Sequence, residues 1–377
     1  MSIVVRPVSS RREKRIFLTF PWRIYRGDEN WVPPLLSDRK NAIDPDKGVF
    51  FQRGVADFFI AWDGEKPVGT ICAAEDKKGN QAVGKKDCVF GFFDCVNDPA
   101  VARALFDCAA QWAREHGLTH LYGPFNLDYE DGYGILLEGR DRPPVVLCGH
   151  TPPYYENFVK EYGFSAARGD NIAFEIDLYK NADYLEKLER MAQRVQQRKK
   201  YTIRAADFNN WQTEIDNVHF LINRALAHLP GHMPWRREAL EKILVPFLKI
   251  ADPELILFAE DEGKPIGFFP GIPNMNEVLI RANGFRYPWN YIQAFTHSKQ
   301  QIHCGTIKSV LVLPEYWGSG VAILMFATMA ERMKEKGYTW VDLSLTSDDN
   351  PKTPELAQRM GGRIYKRYRV YRKKIDS

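Results

Sequence analysis

The heptapeptide Asp63-Gly64-Glu65-Lys66-Pro67-Val68-Gly69 recurs as Asp261-Glu262-Gly263-Lys264-Pro265-Ile266-Gly267, an offset of 198 residues in a chain of 377. Each copy lies between apolar runs, Phe58-Phe59-Ile60-Ala61 and Ile256-Leu257-Phe258-Ala259 before it, Thr70-Ile71-Cys72 and Phe268-Phe269 after it. β-formers on both sides of an Asp/Gly turn predict a hairpin. The same offset relates Val5-Arg6 to Ile203-Arg204 and Tyr162-Gly163 to Met360-Gly361. Glu115-His116-Gly117 and Glu335-Lys336-Gly337 stand 220 apart. Shared order at nearly constant spacing predicts two copies of one α/β unit, each running strand, helices, hairpin, strand, helix, strand, helix, strand. Length agrees, because 377 residues exceed the usual size of a single core. The boundary is set at 178/179, giving units 1–178 and 179–377.

The second copy contains a turn that the first lacks. The β-branched run Thr306 to Leu313 leads through Pro314-Glu315-Tyr316-Trp317-Gly318-Ser319-Gly320 into Val321-Ala322-Ile323-Leu324-Met325-Phe326. It reads as strand, glycine turn, amphipathic helix. Free N–H groups at a helix start, with glycines admitting close approach, form a cradle for phosphate or pyrophosphate. With 27 glycines in the chain, roughly two Gly-x-Gly triplets arise by chance, so context decides. Gly132-Tyr133-Gly134 has no such context. No Lys-Ser/Thr follows Gly320, and Ile323 stands where a dinucleotide fingerprint needs its third glycine. The alternative is a tight turn with no ligand. At the matching place in the first copy, Val89 to Val96 leads to Asp98-Pro99, an N-cap and a first-turn proline. Asp98 puts a negative charge where it opposes a phosphate.

A strand followed by Glu315-Tyr316-Trp317-Gly318-Ser319-Gly320 and a helix resembles the R/Q-x-x-G-x-G/A loop of the GNAT N-acetyltransferase superfamily, with Glu315 in place of Gln or Arg. With the repeat, the resemblance extends over nearly the whole chain, to tandem GNAT bacterial proteins, a group that includes bacterial ceramide synthase-like acyltransferases. Pro21-Trp22-Arg23-Ile24-Tyr25, Asn30-Trp31-Val32-Pro33-Pro34 and Gly123-Pro124-Phe125-Asn126 are similar to phrases of that group. The resemblance implies an α/β (α+β) fold of two tandem GNAT-like domains, with mixed, mostly antiparallel sheets flanked by helices. It also implies acetyl- or acyl-coenzyme A as co-substrate and no metal. Trp317, Gly318, Ser319, Gly320 and Val321 would hold the pyrophosphate, with Leu311, Val312 and Leu313 beside the thioester. Only the second copy should bind the coenzyme; the first would supply support and the acceptor side.

The family pattern N-x-x-A-x-x-x-Y-x-x-x-G-F falls at Asn350, but its tyrosine, the usual thiolate acid, is Ala357. Tyr365 or Tyr368 can substitute if the last strand turns one inward. For the base, the acidic loop Asn126 to Asp131 follows the Gly-Pro turn. Glu130, Asp131 and Gly132 stand where related tandem sequences lead one to expect Asn-Asp-Glu, so the glutamate is lost, and Glu130 and Asp131 are left as the candidates for binding or deprotonating the amine; a solvated loop is the alternative. His150, His228 and His232 are further candidates.

Net charge is +4, too small to point to a nucleic-acid partner. Neither a membrane span nor a hydrophobic leader is present, so a cytoplasmic product is expected, with contact at the inner face of the membrane possible through a basic helix end at Arg190, Arg194, Arg198, Lys199 and Lys200. That end serves equally as a solvated face or a site for the coenzyme's 3′-phosphate. Six scattered cysteines lack metal-ligand spacing and fit free thiols. The segment Asn274 to His303 carries Val278, Leu279, Ile280, Phe285, Trp289, Tyr291, Ile292 and Phe295, and reads as interdomain packing, an acyl-chain wall or a membrane contact. Two functions remain open: an N-acyltransferase acting on a small-molecule or lipid amine, and a coenzyme-binding or regulatory module that has lost the chemistry. Oligomeric state is not readable.

Overall fold

The computed structural model describes residues 3–127, 133–228, 234–245, 248, 251–297, 302–308, 310–350 and 352–375. The first half runs β1 (Ile3–Pro7), α1 (Arg11–Thr19), α2 (Pro21–Ile24), α3 (Leu36–Ala42), β2 (Gly54–Asp63), β3 (Lys66–Asp76), α4 (Lys77–Val83), β4 (Asp87–Cys95), α5 (Pro99–Glu115), β5 (His120–Gly123), β6 (Ile135–Glu138), α6 (Tyr155–Glu161), β7 (Ser165–Ala166) and β8 (Asn171–Asp177). The second runs α7 (Ala182–Arg198), β9 (Thr202–Ala205), α8 (Trp211–Ala225), α9 (Arg237–Leu244), β10 (Ile256–Asp261), β11 (Lys264–Pro273), α10 (Asn276–Leu279), α11 (Pro288–His297), β12 (Cys304–Ile307), β13 (Leu311–Val312), α12 (Val321–Glu335), β14 (Trp340–Ser347), α13 (Lys352–Arg359), β15 (Arg363–Arg369) and β16 (Tyr371–Lys374).

The repeat holds at the level of strand register. Val5 faces Ala61 and Ile203 faces Ala259; Ala61 faces Gly69 and Ala259 faces Gly267. Each hairpin then has a bulge at the next residue, Trp62 or Glu260. Sequence order thus becomes pairing order, because apolar alternation fixes which face each strand buries. Helix α5 starts at its expected Asp98 cap and Pro99, and buries Val101, Leu105, Phe106, Ala109 and Trp112. Its counterpart α12 buries Leu324, Met325, Met329 and Met333.

The sheets do not divide where the sequence does. One has the order β1-β2-β3-β4-β5-β16-β7; the other runs β6-β15-β8-β14-β12-β11-β10-β9, with β13 on β11. In the first sheet β16, the last strand of the chain, pairs with β5 and β7. In the second, β8 pairs with β14 and β15. Strands β8 and β16 are nearly equivalent in the repeat, so each half lends the other the same strand. The linear division at 178/179 remains a proposal about two units whose sheets interlock.

Candidate functional site

Strand β12 pairs in parallel with β14 over Cys304–Thr306 against Trp340–Asp342. Beyond Ile307 the run expected as one strand breaks, and β13 pairs with β11. Strands β13 and β14 splay, and the gap is a cavity of about 880 Å³ walled by β12–β13, the glycine turn, β14 and α13. Tyr133, Leu147, Cys148, Asn171 and Phe174 of the first half complete it.

The glycine turn stands at this cavity. Gly318 (φ +75) and Gly320 (φ +94) are both left-handed, a conformation that costs other residues about 1–2 kcal/mol. Trp317 N–H donates to Pro314 O and Ser319 N–H to Tyr316 O, so the turn holds its own shape. Among the described residues the amides of Gly318 and Gly320 have no protein acceptor, and Val321 N–H has only a 3.4 Å bond to Ser319 Oγ. The first-turn amides of α12 add to these, at the positive end of a helix dipole. A β-carbon on Gly318 would meet nothing within 4 Å; one on Gly320 would lie 2.5 Å from Val195. That contact brings the basic end of α7, with exposed Arg194 and Arg198, beside the turn. Glu315 forms an ion pair with Arg224 at 3.2 Å, so the departure from Gln or Arg carries its own counter-charge.

Of the residues expected to orient a thioester, Leu313 donates its amide to Ile266 O, on the β11 side. Amide direction alternates along a strand, so Leu311 shares that side and Val312 faces the cavity. Val312 O accordingly receives the Trp317 indole N–H at 3.0 Å. Leu311, Val312, Trp317, Gly318 and Gly320 line the cavity. Asn350 is exposed and donates to Thr353 Oγ1 at 2.9 Å. Ala357 is buried on the cavity wall.

Glu130, Asp131 and His232 lie outside the described residues. Tyr365 and Tyr368 are buried. The Tyr365 hydroxyl donates to Asp342 at 2.7 Å, and that carboxylate, wholly buried, also accepts from Thr306 Oγ1 and Ser344 N. The Tyr368 hydroxyl donates to Gly149 O at 3.0 Å. Burial pushes both phenols well up, Tyr365 being helped by Asp342. Lys366 between them donates to the carbonyls of Gly139 and Arg142. Strand β15 therefore clamps the 139–151 loop, which carries Leu147 and Cys148.

In the first half the matching wedge is closed. Phe125 N–H donates to Phe90 O at 2.8 Å, and Phe92 N–H to Asn126 Oδ1 at 2.7 Å, stitching β4 to the segment after β5. Asp98 caps α5 by accepting from Ala100 N, occupying the position where an anion would sit.

Residues 219–361 match the model of the acetyltransferase (GNAT) family. A tandem GNAT protein from the clavulanic acid biosynthesis pathway superposes on all of this chain and 99% of its own, with TM-score 0.59 and 12% identity. The chain has the tandem GNAT fold, and its second half matches the family model. A second such likeness is to a GCN5-related N-acetyltransferase of Sphaerobacter thermophilus, with TM-score 0.52, 13% identity and coverage of 100% and 96%. By sequence, the chain is 29% identical over 375 residues to the bacterial ceramide synthase of Caulobacter vibrioides, covering 98% of this chain and 97% of the relative. It is 25% identical over 377 residues to protein YghO of Escherichia coli, covering 99% and 95%.

Two polar residues on the cavity wall escaped the sequence reading. Lys308 Nζ lies 3.2 Å from Ser344 Oγ and 3.7 Å from Asp342. Lys308 had a signal, being the charged residue in an otherwise uncharged run from Thr306 to Leu313. Ser344 had none, since its left-handed φ of 62° is set by the bulge in β14.

Proposed function

We propose that this chain is an acyl-coenzyme-A-dependent N-acyltransferase, with the donor in the second copy and the acceptor amine between the halves. The observation that carries this reading is the open wedge joined to a cradle of free amides at the start of α12. The family and the relative named a ceramide synthase support acyl transfer in general. The pyrophosphate would rest on the turn from Trp317 to Val321, on the free amides of Gly318 and Gly320 and those of the first turn of α12. The thioester carbonyl would take the Val312 N–H, which stabilises the oxyanion that forms on attack. Glu130, Asp131, Tyr365 and Tyr368 stay in the proposal, the two tyrosines as residues that hold the site's walls. The apolar wall of Leu311, Ile323, Phe326 and Ala357 supports a long acyl chain, each buried methylene contributing about 0.8 kcal/mol.

Among the described residues no helix is long and apolar enough to cross a membrane. Trp289, Tyr291 and Ile292 on α11 are exposed, which supports peripheral contact with a lipid surface as part of the proposal.

A second reading, a module that binds the coenzyme without turnover, is favoured by Ala357 where the family tyrosine belongs. Titration calorimetry tests the donor site common to both. Gly318 is the better probe than Gly320, because its side is open, and Asp or Asn tolerates its backbone. We expect one equivalent of coenzyme A per chain, with Gly318→Asp at least about ten-fold weaker, roughly 1.4 kcal/mol, and Gly318→Asn close to wild type. Equal affinity for Gly318→Asp and wild type would remove the site.

A further inference from the structure

A second cavity, about 440 Å³, lies against α2, α3 and the end of β4, and shares Leu147 and Cys148 with the first. Its walls are apolar at Trp31, Pro33, Phe92 and Leu279, and polar at Asp94 and His150. The His150 side chain is 3% exposed, and its Nε2 lies 2.8 Å from Asp28 Oδ2. A carboxylate accepts only, so Nε2 carries the ring proton and Nδ1 presents a lone pair. That Nδ1 is buried and has no hydrogen-bond partner among the described residues. A histidine serving only the core would have both nitrogens satisfied, since an orphaned buried acceptor costs roughly 1–3 kcal/mol.

We propose that this cavity receives the acceptor amine and that His150, oriented by Asp28, takes its proton. The inference rests on the acyltransfer reading above and adds the place and the base. In the step, the amine nitrogen bonds to the thioester carbonyl carbon and the C–S bond breaks. The proton leaving nitrogen goes to Nδ1, and the electron pair of the broken bond leaves on the coenzyme sulfur. One proton then returns to that sulfur, so the products are an amide and a free thiol. The groups facing His150 are Asp28, the Tyr25 ring, Lys366 and Arg140. Burial above all, with the two cations, holds the imidazole pKa down against Asp28, keeping it neutral and able to accept. The 139–151 loop bearing His150 is fixed by Tyr25, which donates to His150 O at 3.0 Å, and by Lys366 and Tyr368.

The test is thiol release from myristoyl-coenzyme A with dodecylamine, alongside coenzyme binding, melting temperature and pH profile, for wild type, His150→Gln and Asp28→Asn. Asn at position 28 can donate to Nε2, which moves the ring proton to Nδ1 with little change in volume. We expect both variants to bind coenzyme A as wild type does and to lose about a hundred-fold or more in kcat/KM. The acid limb of the wild-type profile should vanish in His150→Gln. Variants that stay within a few-fold of wild type, or that lose melting temperature and coenzyme affinity together while keeping the acid limb, overturn the inference. A wild type that fails to bind the coenzyme overturns the acyltransfer reading as well.

Discussion

Val195 Cγ2 lies 2.5 Å from where a β-carbon on Gly320 would stand, so helix α7 closes directly over the turn that starts α12. The glycine is needed twice there, for its φ of +94 and for the space taken by Val195. Gly320→Ala should therefore cost about 2–4 kcal/mol, combining backbone strain with overpacking. Val195→Ala in the same chain should recover the steric part alone. Urea unfolding of the two single variants and the double variant measures this. An unchanged midpoint for Gly320→Ala would show that the contact does not constrain the turn.

Lys366 is wholly buried, and burial, with Arg142 beside it, lowers its pKa from 10.5 to about 8. Between those values the unfolded chain binds more protons than the native one, so this residue makes stability rise with pH; below about 8 both states are charged and the full penalty stands. The stability of wild type minus that of Lys366→Met should be flat below about 8 and then climb by up to roughly 3 kcal/mol through 10.5. Denaturant titrations at stepped pH check it. A difference flat throughout would mean the ammonium is not desolvated.

The hairpins, the registers and the capped start of α5 were legible because each rests on local pattern: alternation, a turn pair, Asp98 before Pro99. The exchange of β8 and β16 was not. The two strands are nearly equivalent in the repeat, and nothing in their local sequence says which sheet each joins. At the site, Gly318 and Gly320 carried a signal in context. Closure of the first wedge by Phe125 and Asn126 did not, since it depends on a backbone carbonyl and a side-chain amide brought together by folding. His150 looked like any other histidine until Asp28, 122 positions away, was found at its Nε2.

The aromatic segment Asn274–His303 is used in two ways. Asn274 accepts from Val146 N and Asn283 from the Trp22 indole, docking it on the first half, and Asn276 and Leu279 reach the second cavity. Trp289 stacks on Tyr287 and stays more than half exposed; the Phe295 side chain lies outside the described residues. Replacing Trp289, Tyr291 and Ile292 together by Ser should abolish co-sedimentation with phosphatidylglycerol vesicles without lowering the melting temperature. Undiminished sedimentation would remove the peripheral-membrane part of the proposal.

The central claim is that the open wedge and the glycine turn deliver an acyl group to an amine. The most direct measurement is release of coenzyme A thiol from a series of acyl-coenzyme A donors, with and without a long-chain primary amine. The account predicts amine-dependent release, faster for long acyl chains than for acetyl, with the amide recovered by mass spectrometry in step with the thiol. Tight coenzyme binding with no amine-dependent release across the series would contradict it, and would leave a binding module in its place.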